Sequence, residues 1–166
     1  MIYQDLVRDF AQRTRKNLNF IEEQVHSNPE IELYEVTQLI NSLLGLLVFP
    51  REHYHRRDQK LEDFCYIPKT PLKTLENQGW PRVKVLAGQP PCRDLRTLIR
   101  HLRNSIAHFN IKFLADPITA QMAGVRLWNT SDGEETWGVE LNLQELRLIT
   151  ELFLDVIEQK ELTEFD

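Results

Sequence analysis

The chain has 166 residues, 42% of them hydrophobic, which suits one domain with a core of ordinary size. Two cysteines do not make a disulfide framework, no apolar run reaches the roughly 18 residues that span a bilayer, and the N-terminus carries no pattern of a signal peptide; a cytoplasmic protein with no membrane segment is expected. The net charge of −5 is unevenly spread: residues 51–110 hold 12 basic and 6 acidic side chains, residues 111–166 hold 4 and 12. A uniformly acidic chain would argue against a nucleic-acid ligand. The basic middle third leaves that ligand open, because phosphate affinity follows local Lys/Arg density, and the plainer alternative is a solvated face on a central helix.

In chain order, Ile2, Leu6, Phe10, Leu18, Ile21 and Val25 recur near the helical period, so residues 2–26 are predicted to form a helix that ends before Pro29. A second helix is predicted from about Glu32 to Phe49. Its second half is apolar nearly all round, Gly45 permits a close neighbour, and Pro50 is expected to end it. It belongs at the centre of a bundle or in a subunit interface. Residues 51–91, rich in proline, are read as irregular apart from a short helix in "REHYHRRDQKLEDFCY". "CRDLRTLIRHLRNSIAHF" (Cys92 to Phe109) is the third major helix, with Asp94 in its first turn and an apolar stripe of Leu95, Leu98, Ile99, Leu102, Ile106 and Phe109.

Val125 and Leu127, then Trp137, Val139 and Leu141, alternate about an Asp132-Gly133 turn, which predicts a β-hairpin over about residues 123–141. Asn142 is then an N-cap with Glu145 three residues on, opening a last helix from Leu143 to about Lys160. The expected fold class is all-α: a four- to five-helix bundle in one domain over residues 1–166, with a small β-hairpin between the last two helices.

The chemistry concentrates in "RNSIAHF", residues 103–109. At about 100° per residue, Asn104 lies opposite the apolar stripe, His108 lies about 40° from it on the same outer face, and Arg103 borders the stripe. The three are expected to face solvent or a second subunit. Arginine grips phosphate through a planar fork, histidine shuttles protons near neutrality, and asparagine orients either. That set suffices for metal-independent RNA cleavage, in which the ribose 2′-OH attacks the adjacent phosphate. The spacing alone decides nothing, since Arg96 and His101 repeat it within the same helix, and a histidine near a helix C-terminus also serves the dipole. Arg100 and Arg96, one and two turns earlier, are candidate contacts to an RNA backbone.

Arg103-Asn104-x-x-x-His108 near the end of an apolar helix resembles the signature of the HEPN superfamily, an arginine followed after four to six residues by a histidine. "YEVTQLINSLLGLLVFPRE" (Tyr34 to Glu52) resembles the second helix of a small plasmid-borne branch of that superfamily, and the hairpin before the last helix fits it too. The resemblance implies a HEPN-like helical bundle that dimerises, so that two motifs meet in a cleft as one metal-independent endoribonuclease site built on Arg103, Asn104 and His108. It implies a role as a toxin or anti-phage effector, RNA as substrate, and no cofactor. Some members of the superfamily are catalytically inactive nucleotide- or RNA-binding or protein-interaction modules, which is the alternative function. A composite site would also answer a geometric difficulty, since Arg103 and His108 point about 140° apart on an ideal helix.

Other candidates are weaker. His53-x-His55 beside Cys65 lacks the spacing of a metal site, and no metal is expected. No glycine-rich phosphate loop occurs, and no nucleophile elbow surrounds Ser105. Trp80, Trp128 and Trp137 suit packing better than base stacking. The basic group Arg51, Arg56, Arg57 and Lys60 could line an RNA path or simply be solvated, and the acidic last third could dock a basic partner such as an antitoxin or other regulatory protein.

Overall fold

The computed structural model describes residues 6–28, 30, 34–57, 67–86 and 88–159, with the side chains of residues 54–57 and 159 left aside. Five helices and three strands follow in the order α1 (Leu6–Ser27), α2 (Glu35–Arg57), α3 (Leu72–Asn77), α4 (Leu95–Ala107), β1 (Ile111–Ala115), β2 (Met122–Ser131), β3 (Glu134–Asn142) and α5 (Leu143–Gln159). Among the described residues no helix is long and apolar enough to cross a membrane.

The expected all-α class with a lone hairpin between the last two helices is corrected: the fold is mixed, with a three-stranded antiparallel sheet in the order β1-β2-β3 beside the helices. Two features hid the sheet. Strand β1 has only five residues, too few for alternation to declare itself. It also follows α4 almost at once, because Phe109 turns the chain with a positive φ of 58° where no glycine signals a stop. Nor is the sheet an appendage. Register places Ile111, Leu127 and Val139 side by side, with Val125 opposite Leu141, and the last four of these are fully buried core residues. The turn at Asp132-Gly133 has positive φ at both positions (52° and 84°), as a tight hairpin turn requires.

Helix α1 contacts α2 and α5, α4 contacts α2 and β2, and α5 contacts both long strands, so one core joins helices and sheet. The stripe Leu95, Leu98, Ile99 and Leu102 of α4 belongs to it, together with Leu43, Leu46 and Leu47 of α2 and Ile149, Phe153 and Leu154 of α5. The start of α5 is set as the sequence suggests, whereas α4 begins at Leu95, so Asp94 is its N-cap and not a member of its first turn. Asp94 caps α4 by accepting the Thr97 N–H at 2.8 Å. At α5, Asn142 and Glu145 cap reciprocally: the Glu145 N–H donates to Asn142 Oδ1 (2.8 Å) and the Asn142 N–H to Glu145 Oε2 (2.9 Å).

Two further expectations change. Pro50 does not end α2, which carries it inside and runs on to Arg57. Proline forfeits one ladder hydrogen bond there, and its buried ring helps fill the core in exchange. The segment 67–91 is tied down more than its composition suggests. It contains α3, with Ile67, Leu75 and Trp80 buried; Pro71 bridges Asp94, and Val85 bridges Val139, with the Leu86 N–H donating to the Gly138 carbonyl at 2.9 Å. Lys60 and Cys65 lie outside the described residues, as do the side chains of His55, Arg56 and Arg57.

At Gly124, opposite Asn142, the backbones of β2 and β3 leave no room for a side chain. A Cβ there would stand 2.3 Å from the Leu141 carbonyl oxygen, so β3 would have to move. Gly124→Ala is expected to destabilise the fold by about 1–3 kcal/mol, read as a lower midpoint in thermal unfolding followed by circular dichroism. An unchanged midpoint would mean the two strands are not this close.

Candidate functional site

The end of α4 is where the polar residues gather. The buried stripe fixes the helix's rotation, and Arg103 and Asn104 emerge at its margin, both half-buried rather than solvent-facing. The Arg103 side chain is 16% exposed. Its Nη2 donates to Glu52 Oε1 at 2.6 Å and its Nη1 to Asn104 Oδ1 at 3.3 Å, while its Nε is buried without a partner. The guanidinium is thus pinned at both ends of its fork and keeps one further N–H on each terminal nitrogen.

Glu52 is the residue the sequence did not single out. It sits just past Pro50 in the continuing α2, and it accepts from Arg51 Nη1 as well, at 2.8 Å on the same oxygen. The Arg51 hydrogen bond, and then that from Arg103, hold the Glu52 carboxyl below its ordinary range against the opposing effect of its partial burial. Beside the pair opens a cleft of about 520 Å3 lined by Leu6, Gly45, Val48, Phe49, Glu52 and His53. Gly45 makes room there: a Cβ would meet the Phe10 ring at 3.0 Å. The Phe10 ring lies 4.9 Å from that of Phe49, which in turn stacks with His53.

His108 is the C-cap of α4, with φ −99° and ψ 11°, and is exposed. Its imidazole makes no hydrogen bond or ion pair with any described residue; only its backbone N–H is engaged, to the Asn104 carbonyl at 3.0 Å. The structure therefore links Arg103 to Asn104 and to Glu52, and does not link His108 to either side chain.

A family model described as HEPN pEK499 p136 matches residues 1–164. The chain belongs to the HEPN superfamily. Comparison with curated proteins and with solved structures returned no match.

Within this HEPN chain, α4 carries the arginine-to-histidine spacing twice, and the structure treats the two copies differently. Arg96 donates its Nε to the Ile67 carbonyl at 2.6 Å, fastening the segment before α3. His101 stacks on Trp137 with ring centroids 4.7 Å apart and planes 9° from parallel. Its Nδ1 lies 2.9 Å from Asn129 Nδ2, which makes Nδ1 the acceptor and puts the ring proton on Nε2. Asn129 Oδ1 faces the Ser105 hydroxyl at 3.0 Å, and that hydroxyl also reaches the His101 carbonyl at 2.9 Å. His101 and Ser105 thus clasp α4 to β2. Arg100 is half-buried. Of the tryptophans, Trp80 and Trp137 are buried, while half-buried Trp128 carries Arg126 over its ring at 5.6 Å.

Two outcomes test this geometry. Burial, and then the charge of Arg100, push the His101 pKa below its ordinary 6.5. The unfolded chain therefore takes up a proton that the fold resists, so this stability is present above about pH 6.5 and lost as pH falls further. The melting midpoint of the wild type is expected to fall between pH 7 and 5, and that of His101→Gln to fall less; equal slopes would remove His101 from the clasp. For the ion pair, a double-mutant cycle of Glu52→Gln with Arg103→Gln is expected to give a coupling of about 0.5–1 kcal/mol in urea unfolding. Additive effects would mean the pair does not hold Arg103.

Proposed function

We propose that this HEPN protein is a metal-independent endoribonuclease whose site is completed across a homodimer by Arg103, Asn104 and His108. The observation that carries the reading is the unequal treatment of the two arginine-histidine pairs. Arg96 and His101 are tied into the fold, whereas Arg103 is held rigid with donors to spare and His108 is exposed at the helix end with no side-chain partner among the described residues.

The chemistry follows from those states. A base removes the proton of a ribose 2′-OH, the oxygen attacks the adjacent phosphorus, and the 5′-oxygen leaves with a proton from an acid. The products are a 2′,3′-cyclic phosphate and a 5′-hydroxyl. His108 serves as base or acid, and two copies brought together by a two-fold axis supply both. Arg103, pinned by Glu52 and Asn104, steadies the negative charge on the pentacoordinate phosphorus without having to reorganise. Asn104 keeps the fork oriented. Arg96 and Arg100, on the same helix, are the proposed contacts to the RNA backbone. On this reading the biological setting is toxin–antitoxin or anti-phage defence, and the acidic last third is a docking face for a basic antitoxin or regulator.

One observation favours a second reading. The 2.6 Å contact of Glu52 neutralises the cation that the phosphate would need, as suits a catalytically inactive module that binds nucleotide or RNA, or a protein partner.

Labelled single-stranded RNA incubated in EDTA separates the two. The wild type is expected to cleave it to cyclic-phosphate ends and to leave DNA intact. His108→Ala and Arg103→Ala, folded by circular dichroism, should each lose about 100-fold or more of that rate. A well-folded, dimeric wild type that cuts none of several RNAs leaves the binding module as the reading.

A further inference from the structure

We propose that Phe109 is a stacking platform for a nucleobase of single-stranded RNA, taking the base next to the phosphate that His108 addresses. The proposal rests on the RNA-cleavage reading and adds to it a residue that selects and seats the substrate.

Helix α4 closes with a paired hydrogen-bond motif: the Asn110 N–H donates to the Ser105 carbonyl (2.8 Å) and the Phe109 N–H to the Ile106 carbonyl (3.0 Å). That closure demands a left-handed residue at position 109, where glycine is the usual occupant because a Cβ crowds the carbonyl. Phe109 adopts it with φ 58°. Among the described residues the other non-glycine positions with positive φ are Ala120 and Asp132, one small and one of a type that tolerates the region. A large aromatic ring in this conformation is a cost, and burial of the ring does not offset it: Phe109 is 88% exposed. The fold thus carries both a strained backbone and a wet aromatic ring at one position, with no return among the described residues.

The return lies in what the ring meets. It is one residue from the exposed imidazole of His108, and the motif's two hydrogen bonds fix its backbone, so the ring is presented on a rigid mount. Exposed Lys112 follows three residues later, and residues 51–110 as a whole are basic. A ligand with a flat apolar face beside an anionic group matches that order, and a nucleotide unit has both. Base–aromatic stacking tolerates any base, so the platform would grip unpaired RNA without demanding a sequence. A second copy of the chain is the rival occupant, because half-exposed Phe113 on β1 could extend an apolar contact.

The test is equilibrium binding, by fluorescence anisotropy, of a fully 2′-O-methylated single-stranded oligonucleotide, which lacks the attacking hydroxyl and is not cut. Wild type, Phe109→Trp, Phe109→Leu and Phe109→Gly are compared, with sedimentation to read oligomeric state. Phe109→Trp is expected to bind at least as tightly as wild type, and Phe109→Leu and Phe109→Gly about tenfold more weakly, all with the oligomeric state of wild type. Phe109→Gly relieves the left-handed strain and should melt no lower than wild type, so its weaker binding could not be blamed on misfolding. Wild-type affinity in Phe109→Leu and Phe109→Gly overturns the platform, and leaves the cleavage reading standing if RNA is still cut. A loss of dimer in those variants overturns it in favour of the second copy. No binding by wild type overturns it outright, whereas stacking-dependent binding without cleavage of ordinary RNA keeps the platform and sinks only the nuclease.

Discussion

Leu95, Leu98, Ile99 and Leu102 are wholly excluded from water. Turning α4 about its axis would therefore re-expose several side chains at roughly 1.5–3 kcal/mol each. The helix is held from two sides, by α2 and by β2, and on the sheet side its hold is also directional. Ser105 and His101 meet Asn129 through hydrogen bonds that work at one rotation and one height only. Everything polar at the end of α4 inherits that fixity. Arg103 and Asn104 have the positions they do because the apolar face left them no others.

Pro50 shapes the other half of the site. A helix that stopped there would leave Glu52 in a loop and Arg103 without its 2.6 Å acceptor. Because α2 runs through, a helix apolar on several sides near its middle ends in a polar stretch, and the junction falls where α4 also turns polar. The pairing of Glu52 with Arg103 is thus a product of two helices changing character at the same level. The low pKa of the Glu52 carboxyl is a second sign of the same meeting, since Arg51 and Arg103 converge on one of its oxygens.

Much of this was legible where a residue's chemistry acts locally. Asn142 with Glu145 announced α5, Asp132-Gly133 announced the β2–β3 turn, and the apolar stripe announced α4, because caps, turns and periodicity depend on neighbours in the chain. What was hidden depends on partners far along it. Nothing near Pro50 says that the core will pay for its missing hydrogen bond. Nothing in "FNIKFLA" outweighs the lack of a glycine after His108, so the sequence does not declare β1 and predicts only a hairpin. Arg103 and His108 were visible as residue types, but their different circumstances, one clamped and one bare, belong to the folded chain. Glu52 lay inside the stretch that resembled the superfamily, and only the continuation of α2 gave it a role.

Strand β1 forms one margin of the sheet, and along that margin no strand among the described residues pairs with its outer peptide groups. Such margins invite other chains to add themselves edge to edge. Here the invitation is short and spoiled: five residues, a charged Lys112 near the start, and a shift of register between Leu114 and Ala115 that breaks the regular spacing of donors and acceptors. The strand that the sequence concealed through its brevity is, for the same reason, a poor template for fibrils, and a cell holding many copies of the chain gains colloidal safety from it.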